Sequence, residues 1–343
     1  MDEHFGIKEY RTASGARVFA IPLQLFPILR GFAYLVVDEN ETKPVYTLID
    51  SGSGMPESNE DLLNGIRAVG DILGKPMEFS QLDRILITHG HIDHFGGCVQ
   101  LHEQTSAQVY IHELDLRNLT NYEERIIVVS KHLEEFLIEA GADEALRQRC
   151  LELYRITKSL GRSIQVDRTY EAENYQIDRF EVFHVPGHCA GHVILKLDNV
   201  LFSGDTVLGH ISPHQAPERL THYTGLGHYL ESLERLEKWA GHVDLTFGGH
   251  GAPIMNLSQR IREIQEVHQE RLEKVLEILK QPHTIAEVSK CLFGEVNGYN
   301  ILLALEETGA HVEYLYQRGT LEIANLEDLE NTHRVVPIQY RRI

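Results

Sequence analysis

Apolar and polar positions alternate in runs that define most of the chain. ARVFAIPL (16–23), GFAYLVVD (31–38) and VYTLID (45–50) are rich in β-branched and aromatic residues and bounded by turn formers, so they predict three strands that open a sheet. After SGSG (51–54) the spacing in EDLLNGIRAVGDIL (60–73) becomes helical. DRILIT (83–88) reads as a buried strand running into a histidine cluster, which therefore sits on a loop at a strand end. AQVYIH (107–112) is a further strand. Residues 114–162 carry long helical periodicity, clearest in SKHLEEFLIEAG and EALRQRCLELYRITKSLG, and read as a helical insertion or cover. Strands resume at FEVFHV (180–185), HVILKLD (192–198) and NVLFSGD (199–205). A helix at YLESLERLEKWA (229–240) precedes the strand DLTFGG (244–249).

From Leu257 the pattern changes to a long charged amphipathic helix through about Lys280, and Pro282 with a Thr284 N-cap opens another. The change predicts two domains, 1–256 and 257–343. A helix at YNILLALEETG (299–309) followed by strand-like VEYLYQRGTLEIA (312–324) gives the second the helix-then-hairpin order of a winged-helix module.

Composition narrows the function classes. At 343 residues, 42% hydrophobic and 24% charged, the chain has the make-up of a globular protein with a large core and an accessory piece. A formal charge of −19 repels phosphate backbones and anionic membranes, so neither nucleic acid nor membrane is an expected partner. Within roughly 283–330, nine acids (Glu287, Glu295, Glu306, Glu307, Glu313, Glu322, Glu327, Asp328, Glu330) stand against Lys290 and Arg318, so the module is expected to serve domain packing, cleft closure or a homodimer. No basic leader or run of about 18 apolar residues is present, which makes a cytoplasmic location the default. Cys98, Cys150, Cys189 and Cys291 are widely separated and form no CxxC pair, so they read as reduced, small hydrophobes.

Chemistry concentrates in four short motifs. THGHIDHFGG (88–97) places His89, His91, Asp93 and His94 within six residues beside the small Gly90, Gly96 and Gly97. Histidines of a surface turn would account for one or two of these but not four ligand-type residues. Three singletons follow later strands: His188 in VPGHCAGH (185–192), Asp205 in LFSGDT (201–206) and His250 in FGGHG (247–251). Imidazoles and carboxylates in such a set suit zinc or iron.

In the order HxHxDH, PGHxxGH, GDxx and GHG, these motifs resemble the metallo-β-lactamase superfamily, in particular its glyoxalase II and β-lactamase-like protein 2 branches. The resemblance implies an α/β fold, an αββα sandwich of two face-to-face sheets with helices outside. It implies that His89, His91 and His188 hold one metal, that Asp93, His94 and His250 hold a second, and that Asp205 bridges both. Two divalent ions are implied, Zn2+ foremost, with Fe or Mn as alternatives. Asp50, which ends VYTLID, matches the first family motif and is expected to support the site from behind the ligands. His192 is expected to be structural. Relatives often carry Thr or Ser where this chain has Cys189, so a supporting hydrogen bond could differ there. The absence of an HxExDH pattern sets the chain apart from flavodiiron-type redox centres.

The resemblance also places the loop 207–230 above the metals, which makes His210, His214, His222 and Tyr223 candidate contacts for a small-molecule substrate. The expected reaction is hydrolysis by a metal-bridging hydroxide, with Asp93 orienting the water or managing its proton, on a thioester, ester or lactone. The alternatives are a phosphodiesterase or ribonuclease of the same fold, a mononuclear-iron persulfide dioxygenase using His89, His188 and Asp205, and a non-catalytic metal-bound scaffold. Residues 114–162 are expected to wall the substrate cleft.

Overall fold

The computed structural model describes residues 6–39, 43–159 and 161–343. Seven strands form a first sheet in chain order: β1 (Lys8–Arg11), β2 (Arg17–Phe26), β3 (Leu29–Asp38), β4 (Val45–Ile49), β5 (Arg84–Leu86), β6 (Gln108–Ile111) and β7 (Arg168–Thr169). The first four pair antiparallel, and β4 to β7 run parallel. A second sheet contains β8 (Gln176–Ile177), β9 (Phe180–His184), β10 (Val193–Leu197), β11 (Val200–Gly204) and β12 (Leu245–Gly248), in the order β12-β11-β10-β9-β8. Within it only β11 and β12 pair parallel.

Successive side chains of a strand point to opposite faces, and here both faces are apolar. On β2, Val18 and Ala20 enter the seam between the sheets with Tyr34, Val36, Leu195, Phe202 and Phe247. Phe19 and Ile21 point the other way, onto Leu62, Ile66 and Val69 of α1 (Pro56–Leu73). Proline in the first turn and Gly74 at φ 71° bound that helix. Short helices α2 (Ile92–Phe95), α3 (Cys98–Leu101) and α4 (Leu116–Thr120) follow, then α5 (Tyr122–Glu139) and α6 (Glu144–Lys158).

The outer face of the second sheet, represented by Ile194 and Leu201, is covered by α7 (Leu226–Ala240) and by three further helices: α8 (Leu257–Ile278), α9 (Ile285–Phe293) and α10 (Asn300–Gln317). The four layers are helix, sheet, sheet, helix, as the motif order implied. One continuous core joins Leu133, Phe136 and Leu137 of α5 and Cys150 and Leu151 of α6 to α7 through α10. Residues 114–162 and 257–321 therefore pack on each other as well as on the sheet. Thr284 caps α9, its hydroxyl accepting from the Glu287 N–H while the Glu287 carboxylate accepts from the Thr284 N–H.

The last third of α10 departs from the sequence expectation. Val312 to Gln317 are helical rather than strand-like, and the strand β13 spans only Leu321–Ile323. β-branched and aromatic residues favour strands, yet Leu302, Leu305, Val312 and Leu315 keep the three-to-four spacing of one buried helical face, and packing of that face outweighs local preference. After α11 (Leu326–Glu330), β14 (Tyr340–Arg342) pairs antiparallel with β13, so the two-stranded sheet is closed across a helix and not by the hairpin expected over 312–324. Among the described residues, no helix is long and apolar enough to cross a membrane.

Candidate metal centre

Parallel pairing brings the C-terminal ends of β4, β5, β11 and β12 to one edge of the sandwich. The β4 end leads to Asp50, and the other three lead into segments that carry the motif residues. The chain leaving β5 supplies His89 and His91 and enters α2, which carries Asp93 and His94; β11 is followed by Asp205, and β12 by His250. The loop between β9 and β10 adds His188. All seven motif residues converge: His89, His91 and His188 form one donor group, Asp93, His94 and His250 another, and His89, His94 and Asp205 a third that joins them.

The internal distances are those of side chains aimed at common points. His89 Nε2 and His91 Nδ1 stand 3.1 Å apart. Asp205 Oδ2 is 3.5 Å from His94 Nε2, 3.8 Å from His188 Nε2 and 3.4 Å from His250 Nε2. Asp93 Oδ2 is 3.4 Å from the same His250 nitrogen. Three of these donors, His94 Nε2, His188 Nε2 and Asp205 Oδ1, are buried and have no hydrogen-bond partner. Unpaired buried polar atoms are costly, and three converging on one place fit a cation. Gly249 is part of that cradle: a Cβ there would come within 2.5 Å of both Asp205 Oδ1 and His94 Cε1.

Most of the ring nitrogens that face away are tied off. His94 Nδ1 donates to Asp50 Oδ2 at 2.7 Å, His188 Nδ1 to the His214 carbonyl at 2.7 Å and His250 Nδ1 to the Arg30 carbonyl at 2.8 Å. His89 Nδ1 is 3.1 Å from the Thr88 hydroxyl. Such bonds select the tautomer that leaves the inner nitrogen bare. Asp50 therefore acts behind His94; it also accepts from the Thr88 N–H at 2.8 Å and hydroxyl at 2.9 Å, from a left-handed backbone (φ 57°) that a non-glycine residue rarely adopts. His192 holds the Asp205 loop, accepting the Asp205 N–H at 3.0 Å and lying 3.1 Å from the Thr206 hydroxyl.

Burial, aided by neighbouring imidazoles, keeps His89 and His91 well below the usual imidazole range and lowers His188 as well, so these three present neutral lone pairs. Burial would raise Asp205 and Asp93, but the positive His250 and His94 beside them hold both carboxyls low. Conversely, His94 is raised because Asp205, Asp50 and Asp93 outweigh its burial. A divalent ion at this position would displace those protons.

Cys189 lies behind the metal-facing atoms: its thiol donates to Asp115 Oδ1 at 3.6 Å. Asp115 was not marked by any motif. It is buried at the head of the 114–162 stretch, where Oδ2 accepts the Gly90 N–H at 2.8 Å and so fixes the His89–His91 turn. Two cations of the same stretch reach the neighbourhood of the site. Arg125 Nη2 reaches the Thr221 hydroxyl at 3.5 Å, and the Lys158 ammonium is near enough to His91 to disfavour its protonated form. From α10's end, Tyr299 is raised chiefly by burial and further by Glu306, Tyr154 and Asp93.

The four loop candidates separate. His214 is engaged with α10, its Nε2 lying 3.0 Å from Glu306 Oε2. His210 is exposed beside Gly251, next to His250. His222 and Tyr223 are exposed, the Tyr223 ring lying 6.1 Å from that of His228.

A family model described as the metallo-beta-lactamase superfamily matches residues 27–250. The chain is 26% identical over 287 residues to the probable metallo-hydrolase YqjP of Bacillus subtilis, covering 78% of this chain and 84% of that one. It is 25% identical to a beta-lactamase-like protein 2 homolog of Drosophila melanogaster, covering 82% of each. Over a shorter stretch of 115 residues it is 30% identical to an atrochrysone carboxyl ACP thioesterase of Aspergillus fumigatus, covering 33% of this chain and 32% of that one. The crystal structure of a metallo-beta-lactamase family protein from Thermus thermophilus superposes with a TM-score of 0.74 at 25% identity, covering 95% of this chain and 98% of that one.

Proposed function

Because this chain belongs to the metallo-β-lactamase superfamily, we propose that it is a hydrolase holding two divalent metal ions, zinc foremost, and that it cleaves a thioester, ester or lactone. The reading is carried by one observation: buried, unpartnered His94 Nε2, His188 Nε2 and Asp205 Oδ1 converge while the outward nitrogens of His94, His188 and His250 are committed to other partners. His89, His91 and His188 would hold one ion, Asp93, His94 and His250 the other, with Asp205 between them. When bound, such ions supply a nucleophilic water at neutral pH and polarise the substrate oxygen.

The chain's own residues do the rest. Asp93 would orient the attacking water and accept its proton at a carboxylate oxygen. Asp50 and the Arg30 carbonyl keep His94 and His250 from turning. A thiolate leaves with a pKa of roughly 8.5 and needs no dedicated acid, so this site suits a thioester better than an amide. The thioesterase name of one relative agrees with that choice. A complete second donor group, Asp93, His94 and His250, favours two ions over the single iron of a dioxygenase.

Metal analysis combined with a panel of thioesters, esters, lactones and phosphodiesters tests the proposal. The expected result is two ions per chain and acyl hydrolysis that a chelator abolishes and zinc restores. One iron with oxygen uptake, turnover of phosphodiesters alone, or bound metal without any turnover would each overturn it.

A further inference from the structure

The carbonyl that holds His188 belongs to a peptide unit whose other end is held by the C-terminal module. His188 Nδ1 donates to the His214 carbonyl at 2.7 Å, and the N–H of that same peptide unit, on Gln215, donates to Glu307 Oε2 at 2.8 Å. Glu307 lies on α10, 92 residues further along the chain from Gln215. We propose that Glu307 is a positioning residue for the metal site, acting on His188 through the His214–Gln215 peptide. The inference rests on the reading of His188 as a metal ligand.

Carboxylate, peptide and imidazole form a series of charge-assisted and polarised hydrogen bonds. A carboxylate on a peptide N–H increases the negative charge on the carbonyl of that peptide, which strengthens the bond it accepts from the imidazole. The imidazole in turn becomes a more basic ligand at Nε2, its buried, unpartnered atom. Metal-bound histidines commonly lean on a carboxylate directly; here a peptide stands between, and the carboxylate comes from an accessory module.

Glu307 is built to stay ionised and still. Its side chain is buried, and Oε1 accepts from Arg271 Nη1 of α8 at 2.7 Å. Arg271 also reaches the Ser212 hydroxyl at 3.3 Å, which leaves that hydroxyl free to donate to His268 Nε2 at 2.9 Å. His268 Nδ1 then donates to His311 Nε2 at 3.1 Å, and His311 Nδ1 to the Glu307 carbonyl at 2.7 Å. The circuit closes on the residue where it began. His268, Glu307 and His311 are near enough together to be taken for a third metal group, but His268 Nε2, His311 Nε2 and both Glu307 carboxylate oxygens already accept hydrogen bonds and Arg271 pairs with the carboxylate.

The test is zinc titration of the full chain against a competing chelator, with absorption spectra of the cobalt-substituted protein, for wild type, Glu307→Gln and Glu307→Asp. Glu307→Gln should weaken one of the two metal equivalents by about 10–100-fold and alter the cobalt spectrum, while the other equivalent stays close to wild type; because Glu307 also pairs with Arg271, a lower melting temperature in excess chelator is expected in any case and does not decide the matter. Glu307→Asp keeps the charge and should recover part of the loss. Unchanged binding of both equivalents by a folded Glu307→Gln protein would overturn the proposal, as would equal weakening of both, which marks a merely structural role. A third zinc equivalent lost on His311→Gln would overturn it too, by assigning Glu307 to an ion. A wild type that binds no metal would instead remove the reading on which the inference rests.

Discussion

At the scale of single residues, Asp205 carries the heaviest demand, because one carboxylate serves three imidazoles within 3.8 Å. Asp205→Ala would leave two like charges facing each other with nothing between them, so both bound metal and hydrolysis should be lost. Retention of two ions per chain after dialysis, with full turnover, would contradict this. Cys189→Ser should behave differently. A hydroxyl can still donate to Asp115 Oδ1, and at shorter range than the thiol's 3.6 Å, so metal content and most activity should survive; a mutant without metal would show that the sulfur is a ligand. All seven converging residues were legible in the sequence because metal chemistry restricts each to His or Asp and sets them in short glycine-flanked motifs. Asp115 was not, since its partners at Gly90 and Cys189 are remote in sequence and a lone acid after a strand carries no signature.

Among the elements, α5 and α6 show how periodicity finds a helix but not its burden. The 114–162 pattern predicted helices, and helices formed; their apolar stripe is inserted into the same core as the C-terminal helices. Phe136, 1% exposed, sits against Gly309 of α10, where an added Cβ would meet its ring at 2.8 Å. Phe136→Ala should therefore cost about 3–5 kcal/mol, read by chemical denaturation, and a loss below about 1 kcal/mol would mean that the helices are not docked there. Substrate effects need gentler changes at the cleft. Lys158→Ala is expected to raise KM for acyl substrates bearing a carboxylate or phosphate and to leave neutral esters and metal content unchanged, because its ammonium acts near His91 without ligating. Equal changes for charged and neutral substrates would refute that. The last third of α10 was misread for a related reason: VEYLY has the composition of a strand, and only the burial of Val312 and Leu315 in line with Leu302 and Leu305 decides for helix.

For the molecule as a whole, the charge balance of −19 described a surface, whereas the interior contacts of the acidic module depend on which acids are buried. Glu306, Glu307 and Glu313 of α10 face the loop after Asp205, accepting from or pairing with His214, Gln215 and Glu218. These acids of α10 are thus turned inward, and no sequence pattern distinguishes that arrangement from a solvated acidic face. Docking through these groups has a defined pH window. Burial would raise Glu307, but His214 and His311 bring it from its ordinary 4.5 down to about 2. Its contribution is therefore present above about pH 4.5 and is lost as the pH falls through about 2. His214 runs the other way: burial would lower it, yet Glu306 and Glu307 lift it from 6.5 to about 9, so its contribution is complete below pH 6.5 and disappears as the pH rises through 9. The two together place the firmest docking between about pH 4.5 and 6.5. Hydrogen exchange of α10, followed with excess chelator so that metal binding does not intrude, should show greatest protection in that window and faster opening, after correction for intrinsic exchange, toward pH 9. His214→Gln should flatten the alkaline side alone. Protection that stays level from pH 6 to 9 in the wild type, or an alkaline decline unchanged in His214→Gln, would show that this pair does not hold the module in place.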